Sequence, residues 1–420
     1  MSGTALGQPP VETKKTVSGA RVQQLQATRE ATGGSAAVQA LNNLGLALFQ
    51  QVADHLDNHN ALLCPAAVAA SLLASQACAG GETRQQLVEL LVKAGGKLEH
   101  LQEATVSALE ALEGDTANAE AALAYRMFVS RNLDVSEDCQ EQLKSQLRCA
   151  VHRVSFHASS PEEVADAVNS AFADGSPLIG EVLAPDAVDP TTKMVVASAF
   201  HYRGLLEPPF QRNPTERRFK PNLTTELLLE FERSAGRFMH AEIEDPVAAK
   251  VLELPYRGGA ASLLLLLPDR ARRLNDLRQQ LTPAFLAKLS GCLKPKHVRV
   301  ELPLVRIEAR YSLNTTLIRA GVKQAFMPSA EFTKLAPGAE VRLGDLLHKA
   351  TLVLDEGRPV PTLPVDKLGE EEKLQLARSP SVLPADVQFE LTRPFLFVLR
   401  RTGDGCILLV GVVRDLKKLR

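Results

Sequence analysis

The sequence predicts a protein of helices followed by strands, and two observations predict it. Apolar residues recur at helical spacing through the first half of the chain, and short apolar runs bounded by Gly, Pro and charged residues dominate after residue 190. No repeat at a period of 20 to 50 residues accompanies either texture. Residues 1 to 37 carry five Gly, two Pro and no aromatic residue. They are expected to form a mobile N-terminal extension. From residue 38 the pattern changes, and length alone does not settle how many domains follow.

The elements follow in order. Val38, Leu41, Leu44, Leu48, Val52 and Leu56 recur at three- and four-residue steps and place one buried face on a first helix. Further amphipathic helices fit residues 66 to 78, 83 to 93, 98 to 112, 137 to 147 and 161 to 173, with Ser136 and Ser160 as N-caps of the last two. Strands fit 194 to 202, 251 to 254, 262 to 267, 298 to 307, 350 to 354, 395 to 399 and 406 to 413. Several are apolar on both faces, as central strands covered on each side must be. Residues 355 to 393, with prolines from Pro359 to Pro384, fit neither pattern. A loop of that length in a compact protein is functional or disordered.

Composition narrows the function. The 420 residues carry 48 Lys plus Arg against 49 Asp plus Glu, so a net charge of −1 leaves no basic field to attract nucleic acid. The longest apolar stretch, Ala61 to Ala79, is broken by Pro65 and polar residues, and no membrane partner is expected. The first thirty residues lack the apolar core of a signal peptide. Six scattered cysteines make no disulfide scaffold and no zinc spacing.

No G-x-S-x-G, Walker A, G-x-G-x-x-G or H-E-x-x-H motif occurs, so the chain is not read as an enzyme, and no cofactor or metal is required. His55 and His59, four apart, lack a third ligand and read as solvated residues at a helix end. Arg270, Arg272, Arg273 and Arg278 read as a solvated helix face rather than a polysaccharide site. Asn222-Leu223-Thr224 and Asn314-Thr315-Thr316 match the N-glycosylation acceptor, which matters only in a secreted chain.

Six stretches, in order, resemble the serpin family. They are CPAAVAASLLASQACAGGET from Cys64, TKMVVASAFHYRGLLEPPF from Thr192, VLELPYRGGAASLLLLLP from Val251, VRVELPLVRIEARYSLNTTLIRAGVKQAF from Val298, LGDLLHKATLVLDEG from Leu343, and RPFLFVLRRTGDGCILLVGVVRD from Arg393. The resemblance implies one α+β domain over residues 38 to 420, with three β-sheets, surrounding helices and an exposed reactive loop at about 355 to 393. It implies a serpin-type inhibitor whose partner is a serine or cysteine endopeptidase. Cleavage of the loop frees its N-terminal part to enter the largest sheet as a new strand. A monomer in the extracellular space is expected from the family, with the cytoplasm as the alternative because no signal peptide is visible.

The hinge departs from the family pattern. Family inhibitors carry Gly, then Thr and small residues, where this chain has Glu356, Gly357, Arg358, Pro359, Val360, Pro361, Thr362, Leu363 and Pro364. Counting alternately from Gly357, Arg358, Val360, Thr362 and Pro364 face inward. Three prolines lack N–H donors, and unpaired carbonyls at about 1–3 kcal/mol each cost insertion roughly 3–9 kcal/mol. That is comparable with a whole folding stability of about 5–15 kcal/mol. The rival reading is therefore a non-inhibitory serpin that binds a ligand or acts as a chaperone.

The resemblance also assigns a gate beneath the opening sheet. His348 occupies the histidine of the family's HKA motif, Ser198 stands for an Asn, and Cys64 and Ala67 stand for two serines. Leu206 replaces the family's Trp and reads as a packing substitution. The scissile bond is placed at Arg378-Ser379, since a basic residue suits the acidic pocket of a trypsin-like protease. Lys373-Leu374 and Leu383-Pro384 are competitors, the second disfavoured by its proline.

Overall fold

The computed structural model describes residues 35–93, 96–113, 118–187, 189–222, 224–355 and 386–416. The first helix, α1 (Ala36–His55), opens on Ser35, whose hydroxyl accepts from the Val38 N–H at 3.3 Å and satisfies one of the unpaired donors of the first turn. It begins two residues before the expected domain start. After β1 (Ala61–Leu63) comes α2 (Pro65–Cys78), with Pro65 in its first turn, where a missing N–H costs nothing. Every residue of α2 is buried, so its Ser71 and Ser75 hydroxyls turn back onto the carbonyls of Ala67 and Ser71 at 3.0 and 2.8 Å. Helices α3 (Gly81–Lys93) and α4 (Leu98–Glu113) complete the N-terminal group.

The expected caps form. Ser136 opens α5 (Glu137–Leu147), and Ser160 opens α6 (Pro161–Gly175) with a full capping box through Glu163. Between and around them lie β2 (Ala119–Ser130), β3 (Ala150–Val154) and β4 (Met194–Gly204). The chain then runs through β5 (Gln211–Phe219), β6 (Leu227–Ile243), β7 (Ala249–Pro255), β8 (Ala261–Pro268), α7 (Leu274–Gln279) and α8 (Pro283–Cys292). The expected strand over 298 to 307 is two, β9 (Lys294–Pro303) and β10 (Val305–Ser312), turning at Leu304. The described remainder is α9 (Asn314–Arg319), β11 (Asp345–Leu354), β12 (Val387–Glu390), β13 (Phe395–Arg401) and β14 (Ile407–Val413).

One sheet has the order β10-β11-β4-β2-β3. The other strands form a connected network, β1-β14-β13-β8-β7-β6-β9-β12, with β5 also on β6. Strand β6 joins two of the three expected sheets, because its C-terminal part pairs with β7 and its N-terminal part with β5. The main core fills the space between α1, α2 and the sheets. A second core, with Phe128, Phe156, Val168 and Phe172, lies between α6 and the outer face of the five-stranded sheet.

Strand β12 corrects the expected loop boundary. Val387–Glu390 pairs in parallel with β9, and Phe389 is fully buried, so residues 387–390 are sheet and not loop. Its four residues escape the sequence pattern because a run that short carries one alternation only.

Gly45 sets the crossing of α1 over α2. A Cβ there would lie 2.4 Å from Cγ of Pro65, whose ring cannot rotate away. Gly45→Ala gains about 1 kcal/mol of helix propensity, but overpacking costs about 1–3 kcal/mol. The variant is expected to unfold at lower urea concentration than the parent, measured by circular dichroism; an unchanged or higher midpoint would show that the helices separate freely.

Candidate functional site

The candidate site is the line along which β4 and β11 meet. They pair in parallel from Asp345 opposite Val195 to Val353 opposite Arg203. Beneath the middle of this ladder sits His348, which is fully buried. The register sets Ser198 of β4 and Tyr311 of β10 beside it on either side.

The hydrogen bonds fix the imidazole tautomer. The Cys64 backbone N–H can only donate, and it reaches His348 Nε2 at 3.1 Å, so Nε2 carries no proton. The proton is therefore on Nδ1, which lies 2.9 Å from the Ser198 oxygen. Ser198 accepts it and donates its own hydrogen to the Leu347 carbonyl at 3.3 Å. Burial depresses His348 from its ordinary value to about 3, so it is neutral. Tyr311 packs edge-on against its ring at 5.9 Å and donates to the Leu62 carbonyl, tying β10 to β1.

The structure thus brings together three of the four sequence-assigned gate residues, His348, Ser198 and Cys64. Cys64 contributes its backbone; burial pushes its thiol up to about 12, against weaker help from the Ala67 and Ala66 N–H groups. Ala67 is buried in the first turn of α2 and brings no side-chain polar group. Leu206 is buried and bridges to Tyr256, as a packing residue would. The hinge residues Glu356, Gly357, Arg358, Pro359 and Pro361, and the pair Arg378 and Ser379, lie outside the described residues.

Two features at this line were not read from sequence. At its upper end Arg203 of β4 grips Asp355, immediately after β11, through Nε at 2.9 Å and Nη2 at 2.7 Å, and reaches Glu120 of β2 at 3.2 Å. Bonding to Asp355 raises the Arg203 guanidinium further. Lower down, the segment after α6 crosses the sheet. Lys349 donates to the Glu181 carbonyl at 2.8 Å, Arg310 pairs with the Glu181 carboxylate at 2.7 Å, and Asn169 holds Val182 and Leu183 by their N–H groups. Each joins residues far apart in the chain, so spacing gave no signal.

Other sequence candidates resolve differently. Arg278 is not on a solvated face: it is buried, bonds Gln50 Oε1 at 2.6 Å and pairs with Asp54. Such partners offset the cost of taking a charge this deep out of water. Arg270 and Arg272 are exposed, and Arg273 pairs with Asp276 at 2.6 Å. His55 and His59 are exposed at the end of α1. Asn314 uses its amide to bridge the Gly344 carbonyl and the Leu346 N–H at 2.8 and 3.0 Å, which leaves it poorly disposed to carry a glycan; Asn222 is exposed. No helix among the described residues is long and apolar enough to cross a membrane.

With this geometry in place, the comparisons with known proteins agree on one family. The family model described as Serpin (serine protease inhibitor) matches residues 39–416. Iripin-3 of Ixodes ricinus is 26% identical over 380 residues, 90% of this chain and 94% of its own length. Plasminogen activator inhibitor 1 of Bos taurus is 25% identical over 389 residues, 91% of this chain and 93% of its own. The solved structure of human thyroxine-binding globulin with its bound hormone has a TM-score of 0.78 at 18% identity, covering 90% of this chain and 98% of that one, a likeness of fold alone.

The His348 network generates a pH dependence with a definite sign. The folded state holds this histidine unprotonated down to about pH 3, whereas the unfolded chain takes up its proton near 6.5. Its contribution is complete above pH 6.5 and is lost progressively as pH falls toward 3, at about 1.4 kcal/mol per unit of the difference. His348→Gln is expected to flatten the fall of melting temperature between pH 6.5 and 4, while lowering stability at pH 7.5 by about 1–3 kcal/mol for a disturbed buried bond. Parallel melting curves for parent and variant across that range would remove the assignment.

Proposed function

The chain belongs to the serpin family, and we propose that it inhibits an endopeptidase, acting as a suicide substrate for a trypsin-like serine protease. The supporting observation is the closed β4–β11 ladder. The two strands are direct parallel neighbours, and the chain leaves the end of β11 into the segment 356–385 before returning as β12 in the other sheet network. A strand turned back from Asp355 runs antiparallel to both neighbours. It would replace one parallel ladder with two antiparallel ones, the more stable pairing per residue. Scission of the segment releases that strand, which is what a suicide substrate requires.

In this reading Arg378 is the residue read by the protease and Ser379 follows the cut. Gly357, with Glu356 and Arg358, begins the inserting stretch, and Pro359, Pro361 and Pro364 withhold three donors from the new ladders. Insertion is then partial, and much of the protein is turned over as an ordinary substrate.

A second reading, a ligand carrier, is favoured by one observation. A cleft of about 640 Å³ opens between α1, α8 and the sheet, lined by Leu46, Met239, Leu286, Ser290, Val398 and Arg400. It mixes apolar walls with a few convergent polar groups, as small-molecule sites do.

Limited digestion with trypsin should cut first within residues 356–385, with Arg378-Ser379 the leading site, and Arg378→Ala should slow that cut sharply while the melting temperature stays within the change of about 0.5 kcal/mol usual for surface sites. First cuts among residues 38–350 would refute the loop assignment.

Incubation with a trypsin-like protease is expected to give a minor SDS-resistant covalent complex beside cleaved product. Replacing Arg358 with Thr and the three hinge prolines with Ala should enlarge the trapped fraction. One-to-one trapping by the parent would overturn the reading of the hinge. No trapping by either version, across serine and cysteine proteases, would transfer the function to the carrier reading.

A further inference from the structure

Two thiols outside the gate face each other. Cys78, the last residue of α2, and Cys139, in the first turn of α5, have their sulfurs 3.3 Å apart, and both side chains are buried. A disulfide needs about 2.05 Å, so the sulfurs are within roughly 1.3 Å of bonding. The other four cysteines make no comparable sulfur contact among the described residues, and Cys292 alone is exposed.

The two thiols are not equivalent. The sulfur contact with Cys78 lowers Cys139 from its ordinary value, and Lys334 adds a nearby positive charge; burial works against both. Cys139 also sits among the N–H groups of a helix start, where Ser136 caps its own N–H at 3.4 Å. Cys78 is raised, first by the same contact with Cys139 and then by burial. Cys139, placed at a helix start, is the thiol positioned to attack, and Cys78 the one positioned to resolve.

We propose that Cys78 and Cys139 form a redox-active pair that hydrogen peroxide closes to a disulfide, stapling α2 to α5. The Cys139 thiolate attacks one peroxide oxygen, the O–O bond breaks, and the departing hydroxide takes up the proton that Cys139 had released, giving water and a sulfenic acid. The Cys78 sulfur then attacks the Cys139 sulfur, the S–O bond breaks, and the leaving hydroxide combines with the Cys78 proton as a second water. Two thiols are oxidised by two electrons, one peroxide is reduced, and a dithiol reductant reverses the change.

The place of the staple gives it a consequence. Helix α2 is tied to the β11 side through the Cys64 N–H on His348. Helix α5 is the connection between β2 and β3, the strands beyond β4 on the other side of the ladder. A bond from α2 to α5 therefore links both sides of the β4–β11 line through one buried helix. The oxidised protein resists the separation of those strands, so it inserts its cleaved segment more slowly and is turned over more often as substrate. This consequence rests on the inhibitor reading; the disulfide itself does not.

The test uses the full chain. After brief treatment with hydrogen peroxide and alkylation of remaining thiols, non-reducing peptide mapping is expected to show one Cys78–Cys139 linked peptide and two of the six thiols lost, with recovery in dithiothreitol. Cys78→Ser should instead leave a dimedone-reactive sulfenic acid at Cys139, and Cys149→Ala should leave the link intact. A linkage through Cys149, or six free thiols in the folded parent after excess peroxide, overturns the pair. The fraction of protease trapped is expected to fall several-fold on oxidation in the parent and not in Cys78→Ser. If the link forms and the trapped fraction is unchanged, the staple's consequence is refuted while the pair stands. If neither redox state traps protease, the inhibitor reading and that consequence fall together, and the mapping alone decides the pair.

Discussion

Nine register pairs between β4 and β11 form the seam about which the five-stranded sheet is organised. Parallel pairing is the weaker kind, and both strands run in the same direction, so either face of the seam can accept a strand of opposite sense. The rest of the five-stranded sheet divides cleanly about it: β10 belongs to β11, and β2 and β3 belong to β4. Helix α2 lies beneath both sides. Its all-buried, alanine-rich surface presents little that would grip either one, which makes the few polar contacts at its start disproportionately important.

Those contacts and the charges above them act at different depths. The His348 bonds are fully dry, so each is expensive to leave unmade. The Arg203–Asp355 pair is bidentate and partly covered, with about a fifth of each side chain exposed, and water competes with it more readily. Asp355 is also the last described residue after β11, so Arg203 fixes the point at which the chain leaves the ladder. The Glu181 contacts to Lys349 and Arg310 cross the same strand lower down, where a returning strand would arrive last.

Much of this was legible in the sequence where the chain is apolar and local. Both serine caps, the helix starts and the strands β4, β8, β13 and β14 follow from periodicity, because a strand covered on two faces leaves an uninterrupted apolar run. The strand β2 did not, since its alanine-rich start, AEAALAY, favours helix by composition and becomes strand only because β4 and β3 flank it. Strand β6 was hidden by its charges: Glu232 is buried yet polar, and the alternation breaks where the strand passes from one sheet to the next. Arg278 misled for the converse reason, because a buried arginine and a solvated one look alike until Gln50 and Asp54 are seen opposite. The gate was legible only through family resemblance, since nothing in the spacing of Cys64, Ser198 and His348 says that they meet.

The gate also explains how its departures are tolerated. At position 64 the bonding group is the backbone N–H, so exchanging a serine for Cys64 leaves that bond in place. At 198 a hydroxyl can accept from Nδ1 and donate to the Leu347 carbonyl at once, and this lets Ser198 stand in for a longer amide without an orphaned atom. Ala67 removes a polar side chain from an apolar helix start and strands none. The sheet side of the mechanism is therefore intact in physical terms despite three altered residues. The inserting side is not: proline removes the donor itself, and no neighbouring group can restore a missing N–H. In the proposed mechanism the limit therefore lies in the strand that would enter the seam and not in the bonds beneath it.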